Sequence, residues 1–466
     1  MTTHVPVLVV GAGISGLACA YYLRKSGIDA QIVEASPRPG GMIRSERRDG
    51  YLLELGPQSF SSTPQLIDLC RGLGIKNELV TAPPRAPRFL LLGGQLKQAP
   101  LSPLAFFTSS IFSARTKGSV LHDLFGHSTP PDADESVAAF IRRKFSLELL
   151  DKLVGPFVSG IYAGDPEKLS LSASFPQLHE AERITGSVIR GMLRAAKSKP
   201  KPRHKPALQS FREGNETLVR ALAANLGPAL RCGVEAVSLQ NSGAGRPQAG
   251  ARFVVDIKSN VGNETFVADQ LVLAIPPNAA ARLLATASEH IENRLAEIEF
   301  APIAVVSLGY PKSAVGHSLE GFGFLIPRSE GVRTLGTVWN SSLLPARAPD
   351  SHALLTSFIG GATDPQAVTL SPDELAALVH KEIAPLLQIR QSPAFSNVAM
   401  YPRALPQYNL GHVARLTAPS QWGFPCKNLW LVGNYLSGPA IGACAEQSLA
   451  VANEIRARLG KSLGKE

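Results

Sequence analysis

The chain is poor in cysteine, with five in 466 residues. Cys19, Cys70, Cys232, Cys426 and Cys444 stand far apart, none in a C-x-x-C pair or beside a suitably spaced histidine, which excludes a zinc ligand set and a disulfide framework. Free, mostly buried thiols are the expectation. Long hydrophobic runs are missing as well: nothing approaches the roughly 18 apolar residues of a membrane span, and Leu104 to Phe107 and Ile111 to Phe112 are too short to cross. Low-complexity blocks are absent, and 44% apolar with 18% charged residues describes a globular protein. Acids are in deficit. The 47 basic against 37 acidic residues leave a formal charge of +10, which favours an anionic partner: membrane headgroups, nucleic acid or a polycarboxylate. No Ser-His-Asp, Cys-His or metal-ligand constellation stands out, so the hard chemistry falls to a cofactor.

What is present begins at the N-terminus. Met1 runs into a strand-like Val7-Leu8-Val9-Val10 with no room for a charged leader and cleavage site, so a cytoplasmic location is expected. Then come Gly11-Ala12-Gly13-Ile14-Ser15-Gly16, a helical stretch to about Gly27, and Ala30-Gln31-Ile32-Val33-Glu34. This is a βαβ unit for a dinucleotide. Gly11 permits the tight turn, Gly13 lets a pyrophosphate approach the backbone, and Gly16 lets the helix pack on the strand. Glu34, 18 residues after Gly16, is near the spacing of the acid that binds ribose hydroxyls and disfavours NADP.

After Glu34 and Ala35 follow Arg38-Pro39-Gly40-Gly41 and then Gly56-Pro57-Gln58-Ser59. Here the sequence resembles the flavin-containing amine oxidase superfamily, whose R-x-G-G segment runs along the flavin phosphates. The resemblance implies non-covalent FAD and assigns further contacts. Val234, in Arg231 to Val237, would lie beside the adenine, and Leu271 to Pro277 would be the strand that follows. Gly433, in Leu429 to Tyr435, and Pro439-Ala440-Ile441, before a helix from about Ala443 to Leu459, would supply backbone amides. Many FAD enzymes have Gly-Asp where this chain has Gly433-Asn434. The implied fold class is α/β, a Rossmann-type FAD-binding domain with two insertions. We expect the FAD-binding domain over 1–89, 206–289 and 401–466, a mainly helical, membrane-facing insertion over 90–205, and a mixed-sheet substrate domain over 290–400. At this length two or three subdomains are ordinary.

Gly155-Pro156-Phe157-Val158-Ser159-Gly160-Ile161-Tyr162-Ala163-Gly164-Asp165, Leu335 to Val338, Ser341 to Pro345, Phe358 to Ala362, and Pro406-Gln407-Tyr408 with Gly411-His412 narrow the resemblance to the protoporphyrinogen/coproporphyrinogen oxidase family. That family oxidises a porphyrinogen to a porphyrin in heme biosynthesis, removing six electrons by hydride transfer to FAD. Molecular oxygen takes the electrons and hydrogen peroxide leaves in each of three rounds. By position, Arg88 would hold a substrate propionate, for which a planar guanidinium is suited. Leu325, Val338 and Phe358 would sandwich the macrocycle, and Gly160 would let backbone approach a pyrrole. Read without the resemblance, Arg88 is a surface arginine and the three apolar residues are core.

The run Ser187 to Lys205 holds Arg190, Arg194, Lys197, Lys199, Lys201, Arg203 and Lys205 and no acids. It reads either as a solvated linker or as a patch for an anionic membrane surface; without interleaved aromatics, nucleic acid is not expected. A monomer and a homodimer are both compatible with the sequence. Alternatives remain open: an amine oxidase, although no S-G-G-C-Y segment for covalent FAD is present, a carotenoid desaturase, or a scaffold holding FAD structurally. The sequence leaves the choice between protoporphyrinogen and coproporphyrinogen open, the charge of +10 leaning toward the more acidic.

Overall fold

The computed structural model describes residues 2–198, 207–241, 252–285, 289–416 and 428–462. The apolar run Val7 to Val10 becomes the inner end of the strand Thr2–Val10, buried on both faces as continuous apolar strands are. It pairs in parallel with Ala30–Glu34 on one side and Gly262–Leu273 on the other. Leu230–Cys232 and Leu429–Leu431 extend the parallel set, and a hairpin joins Phe253–Ser259 and Val234–Asn241 to it, completing a seven-stranded sheet. The helices Ile14–Lys25 and Ile441–Ser462 pack together over one face. This is the dinucleotide-binding fold that the first 34 residues encode.

A second seven-stranded sheet runs in the order Phe395–Pro406, Phe300–Pro311, His352–Gly360, Thr334–Trp339, Gly323–Leu325, Arg88–Leu92, Gln95–Gln98. All its pairings are antiparallel except Gly323–Leu325 with Arg88–Leu92. The helix Pro372–Leu387, opened by a Ser371/Glu374 capping box, covers one face and buries Leu91, Phe324, Trp339, Leu355 and Ile359. The sheet moves two expected boundaries. A break at 89/90 would cut the strand Arg88–Leu92, and one at 400/401 would cut Phe395–Pro406; both strands belong to the second sheet because their backbone hydrogen bonds are made there.

In the sequence, residues 103–198 form a mainly helical unit. Ser102, Ser113 and Ser136 each cap a helix by accepting from the backbone N–H three residues on, in Pro103–Thr108, Ala114–Phe125 and Val137–Lys144. A buried ionic cluster ties its helices together, with Lys144 at 2.6 Å from Asp123 and Arg143 at 2.8 Å from Glu182. The basic run is not a loop at its start: Val188–Ser198 is helical, and the Arg190 guanidinium donates to the carbonyls of Leu124 and Thr185. Lys199, Lys201, Arg203, Lys205 and Cys426 lie outside the described residues. No described helix is long and apolar enough to cross a membrane.

Candidate cofactor and substrate site

The glycine loop has the shape its residues predict. Gly11 takes φ +101°, and a Cβ there would meet the Ala274 carbonyl at 2.5 Å. At Gly16 a Cβ would stand 1.9 Å from the Gly11 carbonyl. In front of Gly13 there is open space, and the helix Ile14–Lys25 begins at Gly13 without a side-chain cap. The first-turn amides, Ile14 and Ser15 among them, are thus left for an anion. Ala12 donates its N–H to Glu34 at 2.7 Å, and Ser36 donates N–H and Oγ–H to the other oxygen. Three of the roughly four acceptor sites of that carboxylate are thereby used, one remaining for a hydroxyl.

The other cofactor segments converge on this loop. Gly40 donates to the Ala12 carbonyl at 2.7 Å, and a Cβ on Gly41 would contact Gly13 at 3.5 Å. Gly56 packs so closely that a Cβ would be 2.0 Å from the Met42 carbonyl. Val234 follows Gly233, which donates to the Ser36 carbonyl, so it stands beside Glu34 and Ala35. From the far end, Ser448 donates to the Ser15 carbonyl at 2.8 Å and Gln447 accepts from Gly433 N–H at 3.0 Å. These bonds set Pro439, Ala440 and Ile441 at the start of the last helix. An uncapped helix start, a glycine facing open space and a part-free ribose acid fit a dinucleotide. The Gln58 side chain is engaged within the protein. Its Nε2 donates to the carbonyls of Glu54 and Gly56, and its Oε1 accepts from Asn340 at 2.7 Å. Its amide closes the Gly56-Pro57-Gln58-Ser59 turn and fastens it to the second sheet.

That sheet collects the substrate candidates. Arg88 registers with Gly323, Gly323 with Val338, Leu325 with Gly336, and Gly336 with Phe358. Registered partners share a face, so Arg88, Leu325, Val338 and Phe358 lie on one face, opposite the helix-covered one. Gly323 and Gly336 carry no side chain on this floor, and the Leu325 methyl lies over Gly336, 2.9 Å from where a Cβ would stand. Arg88 is exposed, free of any ion pair among the described residues, with its guanidinium 5.0 Å over the Phe322 ring. Phe358 packs against the cluster that holds Val338 and also against that of Ile303, Val305 and Leu335, on which Met42 of the cofactor segment packs as well. Gly160 faces the same floor: a Cβ would be 2.9 Å from Leu325 Cδ2. Its helix, Gly155–Tyr162, follows a π-helical turn at Leu150–Val154, the kind of irregularity found at functional sites. Ala362 fixes that helix end by donating to the Ala163 carbonyl at 2.7 Å.

The family model for the flavin containing amine oxidoreductases matches residues 14–456. The chain is also 34% identical over 97% of its length to the chloroplastic protoporphyrinogen oxidase of Nicotiana tabacum, 86% of which is covered. The chain belongs to the protoporphyrinogen/coproporphyrinogen oxidase family of flavin-containing amine oxidoreductases. The coproporphyrinogen III oxidase of Bacillus subtilis (strain 168) is 29% identical over 96% of the chain and 97% of that protein. The crystal structure of a protein titled putative protoporphyrinogen oxidase from Exiguobacterium sp. 255-15 superposes with TM-score 0.79 over 98% of this chain and all of that one, at 23% identity. As a member of this family the chain is an FAD-dependent oxidase.

For this oxidase the sequence reading missed several contributors. Asn340 and Gln447 carry no motif signal, because their roles arise from contacts across the fold. Across the sheet face from Arg88 to Ala399, the registered positions Gly323, Leu325, Gly336, Val338, Thr356, Phe358, Val305, Ser307 and Asn397 include no acid or imidazole, and the imidazole of that face, His352, stands at the strand's start opposite Pro311. Burial pushes the thiols of Cys19 and Cys70 up to about 12, which leaves them unreactive.

Proposed function

We propose that this chain oxidises a porphyrinogen, protoporphyrinogen IX or coproporphyrinogen III, to the corresponding porphyrin in heme biosynthesis. One observation carries the reading: a sheet face with Leu325, Val338 and Phe358 along it bears at one end the Arg88 guanidinium, which makes no ion pair among the described residues, and packs at the other on the cluster that Met42 of the cofactor segment also covers. Bound FAD would supply the electron-pair acceptor, with oxygen as the terminal oxidant and one hydrogen peroxide formed per two electrons. The protein's own part is to bind and orient. Arg88 holds a propionate by a bidentate pair. Leu325, Val338 and Phe358 lie against the apolar macrocycle and exclude water from it. Gly160 leaves room between the helix and Leu325. The positions of that face between Arg88 and Ala399 carry no acid or imidazole, and His352 stands at the strand's start opposite Pro311, so the substrate's protons leave through water rather than to a side chain beneath the macrocycle.

The test is aerobic turnover of the purified protein with each substrate in parallel, followed by porphyrin fluorescence and flavin absorbance. Turnover of either supports the reading, and the ratio of rates names the substrate. A flavoprotein bleached by neither overturns it in favour of amine or carotenoid substrates.

We also propose a cytoplasmic location with peripheral contact to an anionic membrane through the helical unit. Its surface exposes Leu104, Phe125, Leu147, Phe157, Ile184 and Leu193, and Ile184 lines one cavity with Arg194, an apolar and cationic combination suited to a headgroup layer. Co-sedimentation with phosphatidylglycerol vesicles but not phosphatidylcholine vesicles is the expected result. Equal recovery in the supernatant with both would refute it.

A further inference from the structure

The segment Pro406-Gln407-Tyr408 with Gly411-His412 stands apart from both the cofactor loop and the substrate face. Its three polar side chains are 2–3% exposed, yet none points at the sheet face described above. Each is spent on backbone of a segment that shapes the site. The Tyr408 hydroxyl accepts from Gly438 N–H at 2.7 Å and donates to the Asn434 carbonyl, bridging the loop between Gly433 and the last helix. His412 stacks on the Tyr408 ring, with centroids 4.4 Å apart and planes 12° from parallel. Its Nε2 lies 2.9 Å from the Tyr435 carbonyl. A carbonyl only accepts, so Nε2 carries the proton and Nδ1 is bare. Gln407 donates from Nε2 to the Tyr162 carbonyl at 2.9 Å, at the end of the Gly160 helix. A Cβ on Gly164 would strike the Gln407 amide at 2.8 Å, so the two surfaces are closely fitted.

We propose that Tyr408 and His412 are positioning residues that hold the 433–441 loop in the shape that receives the flavin, while Gln407 sets the Gly160 helix against it. This rests on the FAD reading above. Two carbonyls, at Asn434 and Tyr435, and one amide, at Gly438, are engaged from the side of Tyr408 and His412. That fixes three backbone groups in the five residues between Gly433 and Pro439. The start of the last helix, at Ile441, is thereby presented in one orientation. The stack makes the two side chains one unit: moving either ring displaces the other's hydrogen bond.

The test compares wild type with Tyr408→Phe, which keeps the ring and the stack but deletes both loop bonds. FAD titration of the apoprotein, followed by flavin fluorescence quenching, is expected to show about 10- to 100-fold weaker binding, as two buried backbone groups lose a partner. The visible flavin band should also shift. The gap in melting temperature between holoprotein and apoprotein should narrow, whereas a merely structural tyrosine would lower both equally and leave the FAD affinity unchanged. That equal lowering, or an unchanged affinity and spectrum, overturns the proposal. Failure of wild-type apoprotein to bind FAD would instead overturn the cofactor reading. Should Tyr408→Phe be insoluble, His412→Phe, which preserves stacking and removes one bond, is expected to weaken FAD binding about 3- to 10-fold, and no weakening refutes the role. Gln407→Leu should raise KM for porphyrinogen with FAD affinity unaltered; loss of FAD instead would contradict the division of labour.

Discussion

Replacing Arg88 separates a substrate-binding arginine from a surface one. The guanidinium is exposed, makes no ion pair among the described residues, and rests over the Phe322 ring at 5.0 Å. Loss of an exposed cation–π contact costs about 0.5–1 kcal/mol, so Arg88→Ala should lower the melting temperature of a protein this large by under about 2 °C. A charge-assisted hydrogen-bonded pair to a propionate contributes about 1.5–3 kcal/mol, and each 1.4 kcal/mol is about tenfold. Arg88→Ala should therefore reduce kcat/KM about 10- to 150-fold, mostly through KM. Arg88→Lys keeps the charge but not the fork and should fall between, at roughly 3- to 20-fold. The assay is initial-rate porphyrin fluorescence over a substrate range, with melting curves on the same preparations. If Arg88→Ala retains kcat/KM within about twofold while its stability is unchanged, Arg88 does not touch the substrate. If instead the melting temperature drops by several degrees, Arg88 is structural and the sheet face needs another anchor.

Further outcomes follow from the packing. Gly16→Ala forces a methyl within 1.9 Å of the Gly11 carbonyl, a backbone atom that cannot rotate away, so the variant should purify without flavin or not fold, as loss of the visible flavin band would report. Gly160→Ala meets only the tip of Leu325; the side chain can turn, so stability should change by less than about 1 kcal/mol while KM rises, which chemical melts and kinetics would separate. Arg347, buried 3.5 Å from Glu54 and donating to Ser210 and the Phe211 carbonyl, joins the second sheet's loop to the cofactor domain. Arg347→Ala leaves Glu54 buried without its counter-charge and should cost about 3–5 kcal/mol in urea unfolding, where Arg347→Ala together with Glu54→Ala should cost less. Burial holds the His412 imidazole down to about 4. Its unfolded value is near 6.5, so its contribution is fully present above about pH 6.5 and lost as pH falls toward about 4. Urea midpoints should fall less steeply on acidification through this window for His412→Asn than for wild type.

The βαβ unit was legible because every part of it is local. Gly11, Gly13, Gly16 and Glu34 lie within 24 residues, and their turn, helix start and strand end follow from the backbone freedom of glycine and the burial of Val7 to Val10. The capping serines of the helical unit are local signals of the same sort. Arg88 was assigned its role only by resemblance, and its place in the chain suggested the cofactor domain. It joins the other sheet because Arg88–Leu92 pairs with Gly323–Leu325, a distant partner that no residue near Arg88 advertises. The side-chain partners of Gln58 were not legible either: its amide closes its own turn and reaches Asn340, 282 residues on.

What the sequence determined by itself is therefore the dinucleotide loop, the apolar or polar character of each strand face, and the positive charge. What the tertiary structure decided is which faces meet: that Arg88, Gly160, Leu325, Val338 and Phe358 share one floor, and that Gln407, Tyr408 and His412 serve backbone rather than substrate. The physical reason is that a side chain encodes its preference for burial and its local turn. A strand's partner, by contrast, is selected by backbone hydrogen bonds common to all residues and by packing that exists only once the whole chain has closed on itself.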